Sequence, residues 1–110
     1  MSETVVALTT LPADFDATPL AQDLVAAGLA ACINIVPGVI SVYTWKGVPQ
    51  IDREQQLIIK TTDDLTTALW EAIKNRHPHD VPEFVVLPVV GGSEDYIQWV
   101  EESVGPRKES

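Results

Sequence analysis

One stretch, from residue 32 to residue 61, limits the folds open to this chain of 110 residues more than any other. Two β-prone runs, residues 32–45 and 51–61, flank the turn signal Lys46-Gly47-Val48-Pro49. Extended arms of this kind reach about 35–45 Å at about 3.3 Å per residue, whereas a compact chain of this length has a radius of gyration of about 13 Å. The sequence therefore predicts a hairpin whose far end, with Tyr43 and Trp45, protrudes beyond the core.

A protruding ribbon with aromatic side chains favours aggregation unless another chain covers it. We therefore expect an oligomer. Pro37-Gly38 interrupts the first arm and predicts a β-bulge or bend there. The alternative is that this bend folds the hairpin back over its own sheet.

The segments around the hairpin predict the order β-α-β-β-α-β followed by a terminal helix, which is the ferredoxin-like arrangement of an α+β protein. Residues 5–11 and 81–90 read as the outer strands, with Pro82 and Pro88 at strand ends or a sheet edge. The predicted helical faces, with Gly28 inside the first helix, comprise Leu20, Ala21, Leu24, Val25, Gly28, Leu29 and Ala31; Leu65, Ala68, Leu69, Ala72 and Ile73; and Tyr96, Ile97, Trp99 and Val100.

Composition predicts a single soluble domain, residues 1–104, followed by a flexible tail, residues 105–110. The net charge of −9, with scattered basic residues, argues against nucleic acids and anionic membranes as partners. The uncharged run 24–44 changes from helical to β-like periodicity, which is not typical of a membrane span. One cysteine and no basic segment after Met1 predict a reducing, cytoplasmic location.

No phosphate-binding loop, nucleophile elbow or zinc-ligand spacing occurs, so we expect a binding protein that requires no cofactor rather than an enzyme. The densest candidate site is residues 77–83, where His77 and His79 share a side of an extended segment. Imidazole and carboxylate groups suit Cu(II), Zn(II) or Ni(II). The alternative is a histidine that ends a helix before a polar loop. Cys32 is either a buried inert thiol or a soft-metal ligand.

Several segments resemble, in order, those of the CutA family of divalent-cation tolerance proteins. The matching segments are LAAC at 29–32, IVPGVISVYTWKG at 35–47, LIIKT at 57–61, HPHDVPEFVVLPV at 77–89 and DYIQWV at 95–100. The resemblance implies a homotrimer in which long hairpins extend into the sheets of neighbouring subunits. It also implies a role in tolerance of copper and other divalent cations. Two alternatives are a PII-like sensor of a small anionic ligand and a structural trimer without ligand.

The resemblance also suggests site residues. Copper ligands proposed in bacterial members are a cysteine and two adjacent histidines, where this chain has Thr9, Arg76 and His77. His79 replaces a tyrosine of the family and adds a nitrogen ligand, so we predict a weak metal site from His77, His79 and Cys32. The residues that match an inter-subunit pocket are His77, Tyr43, Trp45, Lys60, Glu83, Tyr96 and Trp99. A catalytic alternative uses His77 as general base with Glu83 or Lys60 nearby.

Overall fold

A four-stranded antiparallel sheet organises the structure, a computed structural model that describes residues 3–106. The strands are β1 (Thr4–Pro12), β2 (Cys32–Trp45), β3 (Val48–Thr62) and β4 (Val85–Pro88), and their order across the sheet is β2-β3-β1-β4. The helices are α1 (Ala17–Ala26), α2 (Thr66–Lys74), which follows a 3₁₀ turn at Asp63–Leu65, and α3 (Glu94–Ser103). Our expectations for Met1 and for tail residues 107–110 fall outside the described residues.

The central hairpin forms as predicted, with a tighter turn than expected. Strands β2 and β3 pair from Cys32–Lys60 to Trp45–Val48, so the loop contains only Lys46 and Gly47. Both loop residues have positive φ, 50° and 78°, as the two-residue turns that suit twisted hairpins require. Pro49, predicted to lie in the turn, instead lies in β3 beyond the end of the β1 pairing, where no neighbouring strand needs its missing N–H.

The long hairpin gives the protomer an elongated shape. The predicted irregularity at Pro37-Gly38 is confirmed by a register shift between Val36 and Val39. The molecule extends 50 × 28 × 22 Å with a radius of gyration of 14.9 Å, above the value of about 13 Å for a compact chain of this length. At the protruding end Val42 and Ile51 are paired, and each is 74 % exposed. The hairpin is therefore not folded back over its own sheet.

The two faces of the sheet differ in what covers them. Directly paired residues share a face and alternate residues change face. One face, which carries Ala7 and its partner Ile59, packs against Leu20 and Leu24 of α1 and Leu69 and Ile73 of α2. On the other face, Cys32 pairs with Lys60, and the hydroxyl of Tyr96 in α3 lies against Cys32. Helix α3 therefore lies on the face opposite to α1 and α2.

The end of α1 corrects our placement of Gly28 inside the helix. The helix ends at Ala26, and Gly28 has φ +75°, a left-handed conformation that glycine adopts without steric cost. Its N–H donates to Val25 O and the Leu29 N–H donates to Leu24 O, which is the Schellman pattern of a helix C-terminus. The Gly28 carbonyl accepts from the N–H of Gly105, at the start of the predicted tail. Because this contact is close, a Cβ at position 28 would lie 2.2 Å from Gly105 O.

Several side chains predicted to be buried are exposed. Val25 on α1, Ala68 on α2 and both Tyr96 and Trp99 on α3 are exposed, whereas Leu69, Ile73 and Val100 are fully buried as expected. Each helix contacts the sheet over a narrower stripe than its apolar sequence suggested. The strand predicted at residues 81–90 is shortened to β4, whose four residues are all exposed at the sheet edge and end at Pro88.

Candidate functional site

Both ring nitrogens of His77 are already engaged in hydrogen bonds. Its Nε2 lies 2.6 Å from the carbonyl oxygen of Thr10, which can only accept, so Nε2 carries the proton. Its Nδ1 accepts a hydrogen bond from the backbone N–H of His79 at 3.1 Å. These two contacts require the neutral Nε2–H tautomer and occupy the lone pair that a metal ion would need. His77 therefore connects the loop after α2 to β1 through its hydrogen bond to Thr10 O.

The electrostatic surroundings of His77 match this neutral state. Partial burial lowers the pKa of His77 below its ordinary value of 6.5, as does the neighbouring His79, while the contact with Thr10 and the charge of Glu54 act in the opposite direction. The lowered pKa means that the folded protein binds a proton at this ring less readily than the unfolded chain does. Protonation of His77 is therefore linked to loss of stability.

This linkage predicts how stability depends on pH. The thermal midpoint should decrease as the pH is lowered from about 6.5 toward the lower pKa of folded His77, because only the unfolded state takes up the proton in that window. His77→Gln should reduce this slope, since glutamine does not titrate, whereas His79→Gln should retain it. Circular dichroism melts between pH 5.5 and 7.5 measure the effect. Equal slopes for the wild type and His77→Gln would contradict it.

A pocket of about 650 Å³ lies between the hairpin end and the loop that follows His77. The hairpin, β1 and loop residues that line the pocket are Thr10, Ser41, Val42, Tyr43, Trp45, Glu54, Pro78, His79, Asp80, Val81 and Glu83. The structure thus brings together four of the predicted site residues: Tyr43, Trp45, His79 and Glu83.

The pocket is acidic. Glu54, Asp80 and Glu83 contribute three carboxylates, and the described residues that line it include no lysine or arginine. The hydroxyl of Tyr43 donates to Asp52 beside it, and this hydrogen bond raises the pKa of Tyr43. A surface of this charge favours cations and disfavours anions.

The other predicted site residues form a separate cluster under α3. There Tyr96 stacks on Trp99 with ring centroids 5.6 Å apart, and its hydroxyl lies against the thiol of Cys32. Burial and this neighbouring thiol raise the pKa of Tyr96. Lys60, the strand partner of Cys32, donates to Asn34. Along β3, Lys60 is four positions from Gln56, the partner of Thr10, which corresponds to about 13 Å at about 3.3 Å per residue.

Cys32 is therefore not brought to the histidines within one protomer. Among residues 3–106, no three His, Cys, Asp or Glu side chains are arranged to hold a single metal ion. Sequence reasoning also missed Glu54, which faces the pocket although it lies in the polar start of the second hairpin arm. The available signal was strand alternation, because neighbouring residues of a strand point to opposite faces of the sheet. Gln55 donates to Pro12 O and Phe15 O on one face, so Glu54 lies on the other.

Comparison with known proteins identifies the family. A family model described as CutA1 divalent ion tolerance protein matches residues 5–103. The chain belongs to this family. It is 43 % identical over 100 residues to the divalent-cation tolerance protein CutA of Thermus thermophilus, covering 91 % of this chain and 97 % of that protein. It is also 44 % identical over 99 residues to the chloroplastic protein CutA 1 of Oryza sativa, covering 90 % of this chain but 56 % of the plant protein.

Solved CutA structures share the fold. The CutA1 structure from Thermus thermophilus has a TM-score of 0.88 at 42 % identity and covers 93 % of this chain and 99 % of its own. The CutA1 structure from Oryza sativa has a TM-score of 0.86 at 42 % identity and covers 96 % and 95 % of the two chains. An α+β fold with a four-stranded antiparallel sheet and three helices is therefore the CutA1 fold. Within residues 3–106, no helix is long and apolar enough to cross a membrane.

Proposed function

We propose that this chain acts in tolerance of divalent cations, as a ferredoxin-like homotrimer that binds such ions weakly and catalyses no reaction. The observation that carries this proposal is its identity of more than 40 % with proteins named for divalent-cation tolerance, over nearly the whole domain. The chain spans about half the length of the two plant relatives, whose names place them in chloroplasts. One archaeal CutA is named periplasmic. A cytoplasmic location remains a prediction.

Exposed apolar side chains support the assembly. The sheet order β2-β3-β1-β4 is the one expected for a ferredoxin-like domain. In a single protomer the hairpin end exposes Val42, Ile51 and Val48, and the edge strand β4 exposes Leu87. Apolar ribbons and edges of this kind are stable in water when a second copy of the chain covers them.

The acidic pocket supports cation binding. His79 offers an imidazole there, and Asp80, Glu83 and Glu54 offer carboxylate oxygens. Since both nitrogens of His77 are occupied, we assign His77 to positioning the loop and His79 to direct contact with the ion. With fewer than three ligands arranged for one ion within the described protomer, we expect weak affinity. Nitrogen and oxygen ligands should favour Cu(II) over Zn(II). The same acidity disfavours an anionic ligand in this pocket.

Calorimetric titration with Cu(II) tests the metal proposal. His79→Ala should weaken binding by at least about tenfold, or about 1.4 kcal/mol, whereas Cys32→Ser should not change it. Wild-type affinity should also fall as the pH is lowered, because metal binding to imidazole competes with protons. Equal affinities for wild type, His77→Ala and His79→Ala would remove the loop from metal binding. Loss of binding in Cys32→Ser alone would move the site to the thiol.

A further inference from the structure

The second half of β1 has an open edge that a loop, rather than a strand, covers. Strand β4 pairs with β1 only from Val5 to Leu8, whereas β3 pairs along the other side as far as Pro12. Within the described part of the chain, no strand therefore pairs with residues 9–12 on the β4 side. Backbone groups at such an edge need other partners. The loop of residues 77–83, between α2 and β4, makes contacts there.

Two consecutive residues of β1 hold the two ends of this loop. The carbonyl oxygen of Thr10 accepts a hydrogen bond from Nε2–H of His77 at 2.6 Å. The hydroxyl of Thr9 donates to the carbonyl oxygen of Glu83, which is 2.7 Å away and 74 positions later in the chain. Thr9 is fully buried, so its hydroxyl is shielded from water. Between the two ends, the N–H of His79 donates to His77. The orientation of His79 therefore depends on both contacts with β1.

The residue that follows the loop is anchored independently of Thr9. Phe84 packs against the core and stacks on Trp70 with ring centroids 5.1 Å apart. The hydrogen bond from Thr9 therefore fixes the direction of the Glu83 carbonyl next to a side chain that is already held in place. Its loss should affect the loop more than the fold. Both contacts join residues of the same protomer, and neither involves the exposed end of the hairpin.

We propose that Thr9 is a positioning residue that, together with His77, holds the loop on β1 so that His79 keeps one orientation. A ligand that is already held in one orientation binds an ion more tightly, because less conformational entropy is lost on binding. This role requires no contact between Thr9 and the ion. The inference rests on the proposed function for its effect on metal affinity, whereas the contact itself can be tested in metal-free protein.

Amide hydrogen exchange, measured by NMR on the whole chain in metal-free buffer, tests the contact. Thr9→Val keeps the shape of the side chain but removes the hydroxyl, so the His79 N–H should exchange about three- to tenfold faster, the effect of losing one hydrogen bond. Thr9→Ser keeps the hydroxyl and should retain the wild-type rate. Thr61→Val is the matched control, because the buried Thr61 hydroxyl likewise donates to a distant carbonyl, Leu29 O at 2.8 Å. It should leave the exchange of His79 unchanged. Ile59, buried in β3, reports global unfolding in each variant.

Calorimetric titration with Cu(II) tests the consequence for binding. Thr9→Val should weaken binding by about three- to tenfold, whereas Thr61→Val should not change it. In a His79→Ala background, Thr9→Val should have no further effect on affinity, because Thr9 acts through His79. A purely structural role for Thr9 would give the same loss in both backgrounds.

Equal exchange rates of the His79 N–H in the wild type and in Thr9→Val would overturn the proposal. Equal acceleration by Thr9→Val and Thr61→Val would also overturn it, since it would indicate general destabilisation. The same holds for a loss of Cu(II) affinity in Thr9→Val that persists in the His79→Ala background. If the wild type binds no Cu(II), the proposed function fails, and the exchange rates alone decide whether Thr9 holds the loop.

Discussion

Replacing Gly28 by alanine should lower the free energy of unfolding by about 2–4 kcal/mol. A non-glycine residue at φ +75° carries a steric cost of about 1–2 kcal/mol. The added Cβ would also lie 2.2 Å from Gly105 O, so the chain after α3 must move and the hydrogen bond from the Gly105 N–H to Gly28 O is lost. Denaturant unfolding at a fixed protein concentration measures the change.

Gly38→Ala provides the matched control for this prediction. Gly38 has nearly the same φ, +76°, but an added Cβ there meets no atom within 4 Å. Its substitution should therefore cost only the conformational part, about 1–2 kcal/mol. Equal losses in the free energy of unfolding for Gly28→Ala and Gly38→Ala would contradict a stabilising contact between the end of α1 and residue 105.

Replacing Ile51 by aspartate should dissociate the proposed homotrimer. Ile51 and its strand partner Val42 are the apolar pair at the protruding hairpin end, so a carboxylate there would be buried unpaired between subunits. Sedimentation equilibrium at micromolar concentration should give three times the 12.0 kDa chain mass for the wild type and a smaller mass for Ile51→Asp. Circular dichroism should remain that of a folded protein, because Ile51 is exposed in the single protomer.

Val25→Asp is the control for the assembly. Val25 is also exposed and apolar but lies on α1, away from the hairpin, so its substitution should leave the mass unchanged. A wild-type mass of one chain would refute the trimer. An unchanged trimer in Ile51→Asp would refute the role of the hairpin end.

Local sequence patterns were sufficient for the elements of this fold. Alternation and β-branched residues predicted the hairpin, and Pro37-Gly38 predicted its bulge. Both signals are local, because side-chain alternation and a proline affect the backbone conformation of only a few neighbouring residues. The same local signals were ambiguous where an element ends. Gly28 read as helical from its apolar neighbours, although it is the left-handed residue of a helix C-terminus.

The roles of individual site residues depended on contacts between distant parts of the chain. Local composition was enough to predict that His77 and His79 lie together in an acidic loop stiffened by prolines. Long-range contacts in the folded chain determine that Thr10, 67 positions away, occupies one nitrogen of His77, and that Cys32 lies at another part of the sheet. The same long-range arrangement places Glu54, 7 % exposed, beside that loop. Burial and pairing follow from which strands become neighbours, and no local pattern encodes them.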